Sequence, residues 1–558
     1  MSSTPEHVED RNLAVRRIMS MGGSRRDMLK VAAAAGLIPV LTTAQASAAA
    51  AASQEGGTPV RGGTFVTLGH QTVDTLSPEN SGATVIWVAL AQLFDSLYVI
   101  DEQYQLTPVL AESFEPSADG LTYTFKLRTG VTFHDGQEFT SADVKYTYDW
   151  IMDPANGSTR AGNFALVASV EAPDPLTVVV TLTAADVTFM VNVATTMIFP
   201  SVYHAEIGEE AFTAAPIGTG PFTLADPGDY TPAQRVTLTA NETYFRGRAN
   251  FDKFQLDIVP EAAGRMTALE SGSADNSIWT LNAEDSLTIE ASGDFKTFKT
   301  LNNAVNHFPL NNKHPFLSDV KVRKALLHAT DRQAILDDVY KGLGVLATSN
   351  ISPNVEKYYN PNVTTYDFNP ETAATLLDEA GWVLNGDVRE KDGVKAHFVL
   401  KVIQGDSQRR PIAEINQALY KNVGVEMEIV EAQVADILAE LPVGGTDAAL
   451  FNWVYGGNNG EPDCRDTLKT GQPNNFSSFS NAEVDELVDL GITQLIEEER
   501  IATYNRIQEI VAEEVPFLFF LHPQGYSFYA NAIGGLPESV LSSDNLYYKV
   551  YLLWKSEE

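Results

Sequence analysis

The chain has 558 residues, of which 44% are hydrophobic and 20% are charged, as in ordinary folded proteins. This length is too great for one small hydrophobic core, so we expect two or three lobes. The 73 acidic residues outnumber the 38 basic ones, which gives a net charge of −35. A surface of that charge repels nucleic acid and anionic lipid, so neither is an expected partner. The single cysteine, Cys464, excludes an internal disulfide.

The N-terminal segment has the pattern of an export signal. Arg25-Arg26 lies in the run SRRDMLK, which resembles the twin-arginine motif, and the apolar run Val31–Leu41 follows it. That run is too short to span a bilayer, small residues with A-x-A spacing come after it, and no cysteine follows that could carry a lipid. We predict that residues 1–52 are a twin-arginine-type signal peptide, cleaved near residues 46–50, and that the mature protein is periplasmic without a membrane anchor. A buried N-terminal helix is the alternative.

The first elements predicted after the signal are a strand over Gly62–Leu68 and a helix within Thr84–Val99, where apolar residues recur at helical spacing. The next segment predicts a hairpin and a capped helix. Asp119-Gly120 predicts a primed hairpin turn, because glycine tolerates a positive φ, and Leu121–Leu127 alternates as a half-buried strand does. The helix that follows has a capping-box spacing and a buried apolar stripe, formed by Thr140, Asp143, Val144, Tyr148 and Ile151.

Helices and strands alternate through the rest of the chain. We predict a strand within Val170–Thr183 and a long amphipathic helix within Pro315–Gly342. A further helix begins after the cap Asn369 and ends at Gly381. The remaining predicted elements are a helix over 412–423, strands over 425–430 and 447–455, helices over 481–494 and 498–514, and strands over 517–521 and 546–553. Such alternation implies α/β lobes.

Four motifs, in a fixed order, carry a resemblance to a known family. They are the segment over 112–150, PIGTGPF over 216–222, NETYFRG over 241–247 and VRKALLHATDRQAI over 322–335. Their order resembles that in the extracytoplasmic solute-binding proteins of family 5, the peptide/nickel-type receptors of ABC importers. The resemblance covers nearly all of the chain after the signal.

The resemblance implies an α/β, two-lobed periplasmic binding protein fold (type II, cluster C-like) with an extra third domain. Lobe I would be discontinuous, over 58–88, 214–306 and 523–558. Lobe II, the extra domain, would cover 89–213, and lobe III would cover 307–522. Two crossings between lobes I and III would act as a hinge over a ligand cleft. The implied partners are a small-molecule or peptide ligand and the membrane permease subunits, for a protein that we expect to be a monomer without a cofactor.

No catalytic motif stands out: the sequence lacks a G-x-S-x-G elbow, an H-E-x-x-H pair and a Walker A loop. The nine histidines show no metal-ligand spacing. His134-Asp135 is better explained as a turn than as an acid–base pair, and Cys464 is a lone thiol. We therefore predict a binding protein and not an enzyme, with a secreted hydrolase that uses His134 or Cys464 as the alternative.

Three loops should face the cleft if the resemblance holds, over 69–72, 404–407 and 452–463. We call them the first, second and third loops. Aromatic rings beside amides suit stacking and hydrogen bonding to a polar solute. The predicted ligand-binding residues are His70, Gln71, Gln404, Asp406, Trp453, Tyr455, Asn458, Asn459, Glu461 and Trp279. Core packing is an equal alternative for Trp453.

The loops depart from the pattern of the dipeptide-binding members. Those members have an Asp for the peptide amino terminus where this chain has Asn458, and an Arg for the peptide carboxylate that the second loop lacks. Glu461 is a candidate substitute for the acid. The sequence therefore favours an oligopeptide or a similar-sized polar solute, with an oligosaccharide or sugar-derived solute, or a sensory ligand-binding module, as alternatives. Nickel is disfavoured, because no histidine cluster falls in these loops.

Overall fold

The computed structural model describes residues 59–71, 73, 75–78, 85–232, 234–278, 281–404, 406, 408–455 and 460–556. The predicted signal peptide lies outside these residues. Within them, no helix combines the length and the apolar character needed to cross a membrane.

The largest sheet has eleven strands. Its hydrogen-bonded order begins at Phe451–Trp453 and passes through Val305–Pro309, Phe517–Ala530, Asn276–Ile278, Thr64–Gly69, Lys253–Ile258 and Arg235–Ala240 to Phe222–Thr223. Phe295–Leu301 and Gly344–Leu346 pair with Phe517–Ala530, and Tyr230–Thr231 pairs with Arg235–Ala240. Thr64–Gly69 is parallel to both of its neighbours.

The strand Phe517–Ala530, which we call the shared strand, belongs to more than one hydrophobic core. Its residues Phe517–Leu521 lie in a cluster whose other members come from residues 305–515. Tyr526, Phe528 and Tyr529 lie in two other clusters, formed with residues 65–298 and the C-terminal segment. One continuous strand therefore joins separately packed bodies, and the chain crosses between them again between Leu301 and Val305.

The body over residues 305–521 contains a three-stranded parallel sheet, in the order Glu426–Ala432, His397–Ile403 and Ala448–Ala449. Its helices are Val320–Ala329, Arg332–Ala334, the π-helical turn Ile335–Val339, Pro370–Glu379, Arg409–Asn422, Val434–Glu440, the 3₁₀ turn Leu441–Val443, Arg465–Leu468, Ala482–Thr493 and Glu497–Glu514. A small sheet of Val383–Asn385, Val388–Lys391 and Val394–Lys395 also belongs to it. The cap at Asn369 and the positive φ of Gly381, 85°, confirm the helix predicted between them.

Residues 97–198 form another core around a four-stranded sheet, in the order Ala111–Pro116, Thr122–Leu127, Thr177–Leu182 and Val167–Asp174. The helix Ser141–Met152 packs on it, and both hydrogen bonds of the predicted capping box between Thr140 and Asp143 are present. The predicted stripe is buried in this core, as Val144, Tyr148 and Ile151. Here the sequence pattern and the structure agree.

The other short elements complete the described chain. The helices are Ile86–Leu93, Phe189–Asn192, Ser201–Ile207, Glu209–Ala214, Ala262–Glu270 and Ala283–Ser292, and the 3₁₀ turns are Pro154–Asn156, Ala161–Phe164, Pro227–Asp229 and Asp544–Leu552. Tyr98–Ile100 pairs with Leu106–Pro108, and Ile533–Gly534 pairs with Trp554–Lys555. We keep the names lobe I, lobe II and lobe III for the ranges given above, whose bounds remain predictions.

The predicted primed turn at Asp119-Gly120 is wrong. The Gly120 amide donates to the Ser117 carbonyl over 3.0 Å, and the Ser117 amide donates to the Thr122 carbonyl over 2.7 Å. Gly120 has a φ of 69°, whereas Asp119 has a negative φ. A primed type I′ turn needs a positive φ at both central residues, so this is a longer hairpin connection with one left-handed residue.

Two predicted helices are shorter than expected. The helix within Thr84–Val99 ends at Leu93, because the chain extends at Phe94 and the Asp95 side chain turns into buried hydrogen bonds. The long helix within Pro315–Gly342 stops at Ala329. The Thr330 hydroxyl bonds back to the Leu326 carbonyl over 2.9 Å, and the chain restarts in short helical and π-helical turns.

Two predicted strands also differ. Residues 546–553 are not a strand: most of them lie in the 3₁₀ segment Asp544–Leu552. Leu546, Tyr547 and Val550 of this segment are buried in the core of lobe I. Burial explains the apolar run that led to the strand prediction. The strand predicted over 447–455 is divided into Ala448–Ala449 and Phe451–Trp453, which join different sheets.

Candidate functional site

The carboxyl ends of parallel strands define one edge of lobe I. Thr64–Gly69 runs parallel to Lys253–Ile258 and to Asn276–Ile278, so all three strands end on the same side. Ligands of open α/β sheets bind beyond this edge. The first loop leaves from it, which places His70 and Gln71 there, with Gln71 exposed.

Arg265 lies close to His70, and sequence reasoning missed it. Its Nη1 donates to the carbonyls of Val259 and Pro260, each over 2.6 Å, where the chain leaves the strand Lys253–Ile258. Burial, and then the charge of Arg265, lower the pKa of His70, so the imidazole is neutral at about pH 7. Nothing in the spacing of the helix Ala262–Glu270 marks Arg265, because its role depends on a fold contact.

Lobe III has a corresponding carboxyl edge. The parallel strands His397–Ile403 and Glu426–Ala432 end side by side, and the second loop follows the former. The Gln433 Nε2 donates to the Gln404 Oε1 over 2.6 Å, so two loops of this edge meet at an exposed pair of amides. Gln404 therefore presents an amide at this edge, and its contact with a solute stays a prediction.

Asp406 has partners within its own loop. Its Oδ1 accepts from the backbone amides of Gln408 and Arg409 over 2.9 and 2.8 Å, and its carboxylate pairs with the Arg409 guanidinium. The carboxylate thus caps the helix Arg409–Asn422 and neutralises a cation. The second loop therefore contains an ion pair rather than a free acid.

The third loop begins with an amide network. The Asn306 Nδ2 donates to the Tyr340 hydroxyl over 2.9 Å and to the Asn452 Oδ1 over 2.7 Å. Trp453 is half-buried, with its ring perpendicular to that of Phe476 at a centroid distance of 5.1 Å. Asn452 is exposed, so it and the free part of Trp453 can contact a solute. Sequence reasoning included Asn452 in the loop but did not single it out.

Tyr455 does not have the predicted orientation toward a cleft. It is 2% exposed, its hydroxyl hydrogen-bonds to His307 Nε2 over 2.8 Å, and its ring stacks on Phe517 at 4.6 Å. The side chain fills the core of lobe III, so we leave Tyr455 out of the candidate site. An aromatic residue in a glycine-rich loop suggested exposure, but the fold provides a buried partner for it.

Glu461 is already paired within lobe III. Its Oε2 accepts from the Tyr358 hydroxyl over 2.6 Å and lies 3.5 Å from the Arg500 Nε, and its Oε1 is 3.1 Å from the Lys357 Nζ. A carboxylate with two cations has little charge left for the amino terminus of a peptide. The suggestion that Glu461 replaces the missing acid therefore fails. Trp279, Asn458 and Asn459 lie outside the described residues.

Comparison with known proteins shows the family. Residues 105–475 match the family described as "Bacterial extracellular solute-binding proteins, family 5 Middle". The chain belongs to this family.

Curated and solved members of family 5 resemble the chain over most of its length. It is 30% identical over 473 residues to "Heme-binding protein A" of Haemophilus influenzae. The aligned residues cover 79% of this chain and 83% of that protein. It is 29% identical over 488 residues to "Oligopeptide-binding protein AppA" of Bacillus subtilis, covering 84% and 88%. The solved structure of AppA from Bacillus subtilis in complex with a nonapeptide has a TM-score of 0.79 at 26% identity, covering 90% of this chain and 100% of that one. The family 5 fold, two lobes plus an extra domain, is that of this chain.

The two residues considered for chemistry make structural contacts in this family 5 protein. Cys464 is fully buried, its Sγ donates to the Tyr455 carbonyl, and burial raises the pKa of the thiol. His134 Nδ1 accepts from the Gly218 amide over 3.2 Å, and its Nε2 lies 3.1 Å from the Gly220 carbonyl. Through these two contacts His134 clamps the 216–222 loop. Burial lowers the pKa of His134 to about 4.

Proposed function

We propose that the protein is the solute receptor of an ABC importer, capturing an oligopeptide or a similar-sized polar solute between lobes I and III. The observation that carries the proposal is the shared strand. It joins two separately packed bodies, each of which ends its parallel strands in polar loops. Two bodies joined by two crossings can rotate about them, and such rotation is the hinge motion of binding proteins.

The recognition chemistry would come from both bodies. Lobe I would contribute the neutral imidazole of His70, the amide of Gln71 and the cationic Arg265. Lobe III would contribute the amide of Gln404 and the third-loop start, where Asn452 is exposed and Trp453 is half-buried. Amides with an aromatic face suit the backbone of a peptide. Arg265 is 6% exposed, so it would act through its positive charge near His70 rather than by direct contact. The name of AppA and its complex with a nonapeptide support the peptide class.

Closure would transmit solute binding to the importer. A solute that touches both lobes stabilises the closed form by its differential affinity, and the permease subunits would recognise that form. Binding alone accounts for this role, so we propose no catalytic step. We further propose that the mature chain works as a periplasmic monomer. Export by the twin-arginine route rests on Arg25-Arg26 in the sequence.

The proposal is tested by ligand screening. Native mass spectrometry of protein purified from its own host would reveal a co-purified solute, and thermal-shift screening of peptides and oligosaccharides would rank it. A solute at about 100 times its Kd stabilises the native state by about 2.7 kcal/mol. We expect peptides longer than two residues to raise the unfolding temperature. Stabilisation by oligosaccharides alone would contradict the peptide class.

The Trp453→Ala variant tests the site itself. We expect it to weaken binding of the best-scoring solute about tenfold or more, as loss of a well-packed aromatic contact does. Trp150→Ala is the matched control, because Trp150 is also half-buried but packs on Phe199 in lobe II. Equal affinity of the two variants would exclude the third-loop start from the solute contacts.

A further inference from the structure

Lobe II touches lobe III directly. The Val187 amide of lobe II donates to the Ile492 carbonyl of lobe III over 2.8 Å. Ile492 lies in the last turn of the helix Ala482–Thr493, where carbonyl groups lack partners within the helix. A backbone group of lobe II therefore satisfies a helix terminus of lobe III.

A hydrophobic contact lies beside this hydrogen bond. A Cβ placed on Gly120 would lie 3.1 Å from a methyl carbon of Leu495 and 3.5 Å from the Cβ of Ala185. The tip of the lobe II hairpin thus meets Leu495, which follows the helix Ala482–Thr493, and Ala185 packs beside the tip. Gly120, with its φ of 69°, lets the backbone approach this closely.

Charge complements the contact. Asp186, next to Val187, is 4% exposed, and its carboxylate accepts from the amide and hydroxyl of Thr188 over 2.9 and 2.7 Å. Burial raises the pKa of Asp186, and the nearby charge of Arg465 opposes that rise. Arg465 also pairs with Asp463 over 2.6 Å, and the charge of Asp463 raises the pKa of Asp186 further.

Another contact lies near a crossing. Tyr104 of lobe II adopts the left-handed conformation, with a φ of 57°, which non-glycine residues rarely do. The Nδ2 atoms of Asn354 and Asn303 donate to its hydroxyl over 3.2 and 3.3 Å, and Asn303 lies on the crossing between lobes I and III. A Cβ on Gly460 of the third loop would lie 3.8 Å from the Tyr104 Cβ.

Lobe II is fixed to lobe I by charged and buried contacts. Glu102 of lobe II pairs with Lys549 of lobe I over 2.6 Å. Asp95, buried in lobe II, accepts hydrogen bonds from Thr219 and Tyr244 of lobe I over 3.0 and 3.1 Å. If lobe III rotates about its crossings, lobe II therefore stays with lobe I, and the contacts at Val187 and Gly120 must separate.

We propose that lobe II is a latch that holds lobe III in the closed position, with Gly120 and Ala185–Val187 as the docking surface for Ile492 and Leu495. This proposal rests on the hinge closure proposed above. The latch raises the closed fraction without contacting the solute. Weakening it should therefore shift the open–closed balance of the free protein.

The test uses the full chain without solute. Leu495→Ala removes the hydrophobic contact, and Leu490→Ala is the matched control, since Leu490 is 44% exposed on the helix Ala482–Thr493 itself. Hydrogen exchange of the Val187 amide reports opening of the interface. We expect Leu495→Ala to speed this exchange roughly threefold or more, as loss of a contact between packed groups does, with no change in the strand Thr177–Leu182.

Pulsed EPR between spin labels at Glu270→Cys and Lys421→Cys, both exposed, measures the lobe I to lobe III distance, with Cys464 buried and unlabelled. We expect two distances, with the shorter one less populated in Leu495→Ala than in Leu490→Ala. Two distances with equal populations in the variants, and unchanged Val187 exchange, would overturn the latch and leave the hinge intact. One distance under all conditions, with and without a screened peptide, would overturn both.

Discussion

Acid should weaken the clamp that His134 forms on the 216–222 loop. In the native protein the Nδ1 of His134 accepts a hydrogen bond from the Gly218 amide, so a proton there would break the contact. Burial lowers the pKa of His134 to about 4, against a usual value near 6.5 for histidine. Because the folded pKa is the lower one, the contribution of His134 is complete above about pH 6.5 and is lost as the pH falls toward 4.

The size of the effect follows from this difference in pKa. At pH 5 the unfolded histidine is almost fully protonated while the folded one is mostly neutral, which costs about 2 kcal/mol of unfolding free energy relative to pH 7.5. His307 and His522 are also fully buried with lowered pKa values, of about 3 and about 4, and act in the same direction. A variant is therefore needed to isolate the share of His134.

His134→Gln provides that comparison, because a glutamine side chain has a carbonyl acceptor and an NH₂ donor group but does not titrate. Urea unfolding of both proteins at pH 7.5, 6 and 5 gives the difference in stability at each pH. We expect the wild type to be more stable at pH 7.5 and the difference to shrink by about 2 kcal/mol by pH 5. A difference that stays constant over this range would refute the reasoning, since His307 and His522 are present in both proteins.

Three further predictions concern stability and thiol reactivity rather than solute binding. Thr140→Ala should cost about 1 kcal/mol of stability by removing a capping box, whereas Thr213→Ala on an exposed site should cost less, as measured by thermal unfolding. Cys464 should not react with a soluble thiol reagent in the native protein and should react in urea, because it is buried; rapid native labelling would contradict its placement. Glu461→Gln should lower stability by about 2 kcal/mol, because Arg500 is 8% exposed and loses its carboxylate partner; an unchanged unfolding midpoint would contradict the pairing.

Local patterns in the sequence were sufficient for elements whose partners are near in the chain. The capping box of Thr140 and Asp143 and the cap at Asn369 are signals that span four residues, and both are present. By contrast, Leu546, Tyr547 and Val550 and most of the helix Ile86–Leu93 are apolar because the same core buries them. Burial of that kind does not separate a strand, a helix and a 3₁₀ segment.

The candidate site was less predictable, because its partners are distant in sequence. Glu461 pairs with Lys357 and Tyr358, about a hundred residues away, and no spacing rule predicts that contact. Arg265 reaches the edge of lobe I through carbonyl groups of the preceding turn. The kinds of residue that line the loops could be recognised from the sequence. Which of their polar groups already have a hydrogen-bond partner depends on tertiary packing.

The central claim is that a solute closes lobes I and III on each other. Small-angle X-ray scattering of the purified protein, before and after addition of the solute identified by native mass spectrometry, measures this most directly. We predict a decrease of the radius of gyration on binding, since closure brings two bodies joined by the shared strand together. Saturating binding of that solute with an unchanged radius of gyration would contradict the account.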